Sequence, residues 1–249
     1  MTPTRKSRSF FLFEVRDLKP RDFVEIKIID IMSEKDQSCP ICKLINESME
    51  KLIDTILYEL VNDPQVRSNL RTMGLCRKHV EIIERYLHHH PELGLLGIAI
   101  IYEDILDHKL KTIKQNESDI YSCSCYLCNH ESQLEEVYTS SFGKILSETD
   151  GMILFSQSDS VFCLYHFGKI YRLLNDTTKD RFKEIQTEKL NYLKDQLSIF
   201  IKKHDYRNKE SIGKEATAYR SVGKLISQPT NLDNRRNHKW QFWRISRER

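Results

Sequence analysis

Two Cys-x2-Cys pairs, each followed at a nearly constant interval by a Cys-x2-His pair, constrain this chain more than any other feature. Cys39-Pro-Ile-Cys42 is separated by 33 residues from Cys76-Arg-Lys-His79, and Cys125-Tyr-Leu-Cys128 by 34 residues from Cys163-Leu-Tyr-His166. Matching positions are offset by 86, 86, 87 and 87 residues. The correspondence runs past the cysteines: Ile83 matches Ile170, Arg85 matches Arg172 and Leu87 matches Leu174. A shared period of this kind marks an internal duplication.

The residue types name the chemistry. Two cysteines separated by two residues at a helix start present both sulfurs to one ion, and the helix dipole favours their thiolate form. A cysteine and a histidine three residues apart share a helix face and supply two further ligands. Three thiolates and a neutral imidazole complete a tetrahedral Cys3His set, the pattern of structural zinc. The expected ligands are therefore Cys39, Cys42, Cys76, His79, Cys125, Cys128, Cys163 and His166, and the expected cofactor is two zinc ions. How the pairs combine is open at this level, because Cys39 and Cys42 could share an ion with Cys163 and His166. Iron–sulfur ligation is the rarer use of such residues, since clusters mostly take four cysteines. Six of the seven cysteines are accounted for; the seventh, Cys123, reads as a surface-loop thiol.

Hydrophobic spacing points to a mainly α fold. Ile41, Leu44, Ile45, Met49, Leu52, Ile53, Ile56, Leu57 and Leu60 form one apolar stripe over 41–61. Asp63-Pro64 reads as N-cap and first residue of a short helix ending at Gly74. Further helices are expected over 77–87, 92–113, 127–146, 163–174 and 214–226, with a long one carrying Phe182, Ile185, Leu193, Leu197, Phe200 and Ile201 on one face. Val24–Ile31 fits a short strand or the first turns of a helix. Only 8 glycines and 6 prolines in 249 residues agree with long helices. The expected organisation is an N-terminal segment (1–37), a first helical zinc-site repeat (38–118), a second (119–228) and a basic aromatic tail (229–249). The two units are expected to be related, each organised by a Cys3His site.

The run CPIC, then GLCRKH, the apolar LGLLGIAII, CYLC and FCLYH resembles an uncharacterised prokaryotic family, domain of unknown function 6062. The resemblance spans about residues 37–228. It implies a helical, metal-binding protein with the eight ligands named above, and it carries no known activity.

Other chemistries fit less of the chain. Cys39-x2-Cys42 opening a helix also matches a thioredoxin-like redox pair, but that fold needs a βαβ sheet and a later cis-proline. His79-Val-Glu81 with Cys125-x2-Cys128 loosely matches a zinc deaminase signature. Ser124 stands where that motif has proline, and the reading leaves Cys39, Cys42, Cys76, Cys163 and His166 unused. No Gly-rich phosphate loop, G-x-S-x-G or H-E-x-x-H occurs, so the common enzyme classes lack support. Glu135 and Glu136 read as solvated helix charges, and His88-His89-His90 as a polar helix end.

Charge is distributed unevenly. The net +3 combines Arg5, Lys6 and Arg8 near the start with Arg235, Arg236, Lys239, Arg244, Arg247 and Arg249 at the end, leaving an acidic body between them. Trp240, Phe242 and Trp243 interleave with the terminal cations, a pattern that suits nucleic-acid stacking, an acidic protein partner or the chain's own body. The longest apolar run, Leu93–Tyr102, is too short to span a bilayer. Without a secretory h-region at the start, a cytoplasmic protein is expected, with reduced thiols. The functional expectation is a binding or scaffolding protein with structural metal and an unidentified protein partner. Nucleic-acid contact through 235–249 and thiol-redox or metal-dependent catalysis at Cys39 and Cys42 are the alternatives.

Overall fold

The computed structural model describes residues 20–115 and 124–227, and every regular element in them is helical. The first repeat forms α2 (Pro40–Tyr58), α3 (Pro64–Met73), α4 (Arg77–His89) and α5 (Leu96–Lys114). The second forms α6 (Tyr126–Leu146), α7 (Thr149–Gln157), α8 (Leu164–Leu173) and α9 (Asp176–Lys203). α1 (Phe23–Ser33) precedes the first set and α10 (Ala218–Ile226) follows the second. The linker at 116–119, Cys123 and the basic tail lie outside the described residues. No helix among the described residues is long and apolar enough to cross a membrane.

Local chemistry explains most helix ends. The Asp63 side chain accepts from the backbone N–H of Val66, Pro64 takes the first helical position, and Gly74 closes α3 at φ 68°. A side-chain cap of this kind contributes about 1 kcal/mol. The ambiguous Val24–Ile31 run is helical: Asp22 caps it through the N–H of Glu25, and Ile28, Ile31 and Met32 face the core. Its eight apolar-rich residues satisfy either period, and the cap together with burial on one face decides the outcome. The helix expected over 92–113 is divided. Pro91–Leu93 makes one 3-10 turn, Gly94 reverses the chain at φ 65°, and α5 starts at Leu96. The 214–226 segment likewise begins with a 3-10 turn at Lys214–Thr217 before α10.

α7 lies in a stretch from which no helix was expected, and Gly151 explains its placement. A Cβ at Gly151 would sit 2.0 Å from the carbonyl oxygen of Ile145, so α7 folds back directly against the end of α6. Helix propensity alone disfavours glycine there. The close approach requires it.

α2 and α6, the equivalent helices of the two repeats, pack along each other at the centre, with Ser48 Oγ 2.7 Å from Tyr138 Oη. α1 lies across α2, α6 and α7; α5 packs on α3 and α2; α9 packs on α8 and α10. The core around α2–α5 is aliphatic, including Ile53, Leu70, Ile83 and Ile101, whereas the second repeat buries Phe142, Phe155, Phe162 and Phe182 completely. Their ring centroids lie 5.1–5.5 Å apart in tilted and edge-to-face pairs.

Two glycines in comparable helical positions should respond oppositely to alanine. Gly168 in α8 has open space at its Cβ position, so Gly168→Ala is expected to stabilise by up to about 1 kcal/mol through propensity. Gly151→Ala meets the Ile145 carbonyl and is expected to destabilise by about 1–3 kcal/mol despite the same propensity gain. Thermal and urea unfolding of the two variants check the sign of each.

Candidate metal centres

The eight predicted ligands converge into two groups, and each group draws two residues from each repeat. Cys39 and Cys42 meet Cys163 and His166; Cys125 and Cys128 meet Cys76 and His79. Two related helical units and two Cys3His sets are present, as expected. The partition is the new information, because the picture of each half closed around its own site gives way to a reciprocal exchange. Its physical cause is the central packing of α2 against α6, which carries the start of each helix to the Cys-x2-His turn of the other repeat.

Every motif begins at a helix N-cap. Cys39, Cys76, Cys125 and Cys163 are the N-cap residues of α2, α4, α6 and α8. The positive dipole ends of four helices therefore lie beside sulfur, which favours thiolate. At α8 the cap is also a hydrogen bond, with the backbone N–H of His166 reaching Cys163 Sγ at 3.5 Å, whereas Cys39, Cys76 and Cys125 make no side-chain cap hydrogen bond. The loops are also joined across the repeats. Val161 N–H donates to the Ser38 carbonyl at 3.2 Å beside one group, and Tyr126 N–H donates to the Gly74 carbonyl at 3.0 Å beside the other. Gln186 of α9 holds the approach to Cys163 with both ends of its amide, accepting from Phe162 N–H and donating to Phe162 O.

The spacing within the groups fits one ion each. His166 Nδ1 lies 3.5, 3.2 and 3.2 Å from the sulfurs of Cys39, Cys42 and Cys163, and Cys42 and Cys163 are 3.8 Å apart. His79 Nδ1 lies 3.2, 3.4 and 3.4 Å from Cys76, Cys125 and Cys128, with Cys76 and Cys128 separated by 3.6 Å. A tetrahedron with ordinary Zn–S and Zn–N bonds has edges of ~3.6 Å between S and N and ~3.8 Å between sulfurs. A disulfide would bring the sulfurs to ~2.05 Å, and all six described cysteines are free. Cys39, Cys125, Cys163, His79 and His166 are buried, while Cys42, Cys76 and Cys128 are half-buried.

The electrostatics of both groups suit a cation, although a hydrogen bond with Cys163 pushes Cys42 above the ordinary thiol range and burial does the same for Cys128. Burial alone would lower the pKa of His79, but neighbouring Cys125 and Glu131 push it up to about 10. Burial opposes the charged form of His166 in the same way, and Cys163, Cys39 and Glu135 push it up to about 11. Hydrogen bonds from Cys39 and Cys42 hold the Cys163 thiol far below its ordinary range. Cys125, whose burial would raise it, is drawn down to about 6 chiefly by His79. In the protein alone the compensating charge is a proton on each imidazole. A dication supplies the same compensation and releases it.

Both imidazoles face the sulfurs through Nδ1 and carboxylates through Nε2. His79 Nε2 lies 3.4 Å from Glu131, which is also held by Lys78 Nζ at 2.6 and 2.8 Å. His166 Nε2 lies 3.2 Å from Glu135, although not well aligned along the N–H direction, and Lys169 Nζ binds the same carboxylate at 2.7 Å. Burial would raise Glu135, yet His166 and Lys169 hold it down at about 2. Carboxylate–histidine pairs fix ring orientation and ligand basicity in metal sites. These two glutamates escaped the sequence reading, in which Glu135 was a solvated charge; Glu136 is indeed exposed. The available signal was their spacing: Glu131 and Glu135 follow Cys128 by three and seven residues, on the same helix face.

The alternatives can now be placed. His79, Cys125 and Cys128 of the loose deaminase signature do converge, but Cys76 occupies the fourth position, where a deaminase carries its reactive water. Glu81, the would-be proton shuttle, is exposed and pairs with Arg77 at 2.9 Å. Cys39 and Cys42 are not an isolated dithiol but half of a four-residue group. His89 bonds the Arg85 carbonyl and His90 stacks on Tyr86, so the triple histidine forms a polar helix end.

The sequence profile described as a family of unknown function (DUF6062) matches the chain twice, over residues 20–122 and 114–230. The chain belongs to that family. The double match reproduces the duplication read from the ligand spacing. Among curated proteins the chain is similar to an "Uncharacterized 23.9 kDa protein in xynA 3'region" from Caldicellulosiruptor sp. (strain Rt8B.4), at 25% identity over 180 residues. The alignment covers 70% of this chain and 86% of that protein. No solved structure matches.

The outer carboxylates should tune metal affinity without supplying a ligand. Glu131→Ala and Glu135→Ala are each expected to weaken metal binding by about 10- to 100-fold at the group they support. Competition titration against a chromophoric chelator checks this, with Glu136→Ala as the unaffected control.

Proposed function

We propose that this protein is a zinc-binding helical scaffold in which two structural zinc ions staple the repeats to one another. The observation that carries the reading is the closed donor set. In each group three cysteines and one histidine provide four donors, leaving no position for a reactive water, and closed sites of this composition are structural rather than catalytic. Zinc suits the donors: thiolates with one imidazole at the corners of a single tetrahedron fit a mononuclear ion, whereas an iron–sulfur cluster spreads its ligands around several atoms.

The proposed ligands of one zinc are Cys39, Cys42, Cys163 and His166, and of the other Cys76, His79, Cys125 and Cys128. When bound, each ion would act as a cross-link between residues far apart in sequence, and its binding energy becomes folding energy. The chain's own groups do the rest. Helix amides stabilise thiolate, Glu131 and Glu135 orient the imidazoles, and Lys78 and Lys169 hold those carboxylates in place. The proposed biological role is to present a rigid helical surface to a protein partner.

Elemental analysis of the reduced, purified protein is expected to give two zinc ions per chain. Since each site ties both repeats, Cys39→Ser/Cys42→Ser should do more than remove one ion. It should also loosen the remaining site, seen as faster zinc transfer to a chelator and a lower unfolding temperature. A chain without metal that keeps its full helicity and unfolding temperature would overturn the proposal.

A further inference from the structure

We propose that the groove enclosed by α2, α4, α6, α8 and α10 is the docking cradle for this chain's own basic C-terminal segment. The groove encloses about 740 Å³, within the range of ligand pockets. That is room for a few side chains rather than for the whole segment. Cys42 and His166 line it, Glu47 and Glu50 of α2 stand on one side, and Lys224 and Ser227 at the end of α10 stand on another.

Two observations select the occupant. The first is where the chain leaves the fold: Ser227, the last described residue, is itself part of the groove lining. Residues 228–249 therefore begin at the cradle, and at ~3.3–3.6 Å per extended residue they easily reach across it. Attachment also raises their effective concentration to the millimolar range. The second is charge. Lys43 is neutralised by Glu34 and Asp36, and Lys78 by Glu131, whereas Glu47 and Glu50 have no ion-pair partner among the described residues. The segment carries Arg235, Arg236, Lys239, Arg244, Arg247 and Arg249 against Asp233 and Glu248. Among the described residues Lys224 is the one lysine of the groove lining without an ion-pair partner, and it sits on α10, where the segment departs. The docking does not depend on the two-zinc reading.

The test uses the zinc-loaded full chain and its own fluorescence, because the only two tryptophans, Trp240 and Trp243, lie in the proposed segment. Relative to a free peptide of residues 228–249, their emission is expected to be blue-shifted and severalfold less quenched by acrylamide. Both effects should vanish in ~1 M salt, where the Debye length falls to ~3 Å. They should also vanish in Glu47→Lys/Glu50→Lys and in Arg235→Glu/Arg236→Glu. Both pairs change charges away from the ligands and should keep the wild-type zinc content and helicity. Peptide-like emission in the wild type would overturn the proposal, as would blue-shifted emission unaffected by Glu47→Lys/Glu50→Lys. A shift that depends on protein concentration would assign the groove to a second copy, and one that appears only with added single-stranded oligonucleotide would assign the segment to nucleic acid. Either overturns docking in cis. A wild-type chain lacking zinc yet showing the salt-sensitive tryptophan signature would sink the metal reading and leave docking standing.

Discussion

Four helix N-termini meeting in reciprocal pairs are the constraint on which this structure depends. Each of Cys39, Cys76, Cys125 and Cys163 caps a helix and also belongs to a four-donor group shared between the repeats. Dense thiolate charge needs compensation, and the local supply is limited to amide dipoles and one imidazole per group. Bringing the two repeats together therefore concentrates sulfur at two points, where protons on the imidazoles and on Cys42 and Cys128 compensate the charge in the protein alone and a bound cation would do so in their place. Assembly of the fold and assembly of the two four-donor groups are the same event.

α6 ties the two groups to one another. It starts one of them at Cys125 and Cys128, and one face of it then carries Glu131 to His79 and Glu135 to His166. The duplication does not repeat this arrangement, because the positions equivalent to Glu131 and Glu135 in α2 are Ile45 and Met49, both buried in the core. The supporting lysines are not equivalent either: Lys78 corresponds to Tyr165, and Lys169 to Ile82. The carboxylate–histidine contacts thus serve both groups from a single helix, while α2 spends the same face on packing. A sequence duplicated in its ligands and their helix starts has diverged in the glutamates and lysines around the imidazoles.

Legibility in the sequence followed the range of the interaction. The α3 boundaries could be read because Asp63, Pro64 and Gly74 act within a few residues of themselves, and the structure places the helix between them. α7 was invisible, since its Gly151 weakens the local helical signal and its reason lies in a contact with the Ile145 carbonyl at the end of another helix. The break at Gly94 was hidden for the opposite reason: the apolar run around it continues helical spacing across a residue whose φ is positive. Glu131 and Glu135 carried a readable spacing from Cys128, but nothing local says that an imidazole stands opposite.

What the sequence by itself determined was the helical class, the duplication and the eight donors that now stand together. Donor identity and helical spacing are short-range properties, set by side-chain chemistry and a 3.6-residue turn. What only the tertiary structure decided was how those donors combine. Either pairing satisfies the same spacings, and the choice falls to which helix starts are brought face to face. The burial of α2 against α6 makes that choice, because the packing of their apolar faces sets which helix ends stand opposite one another.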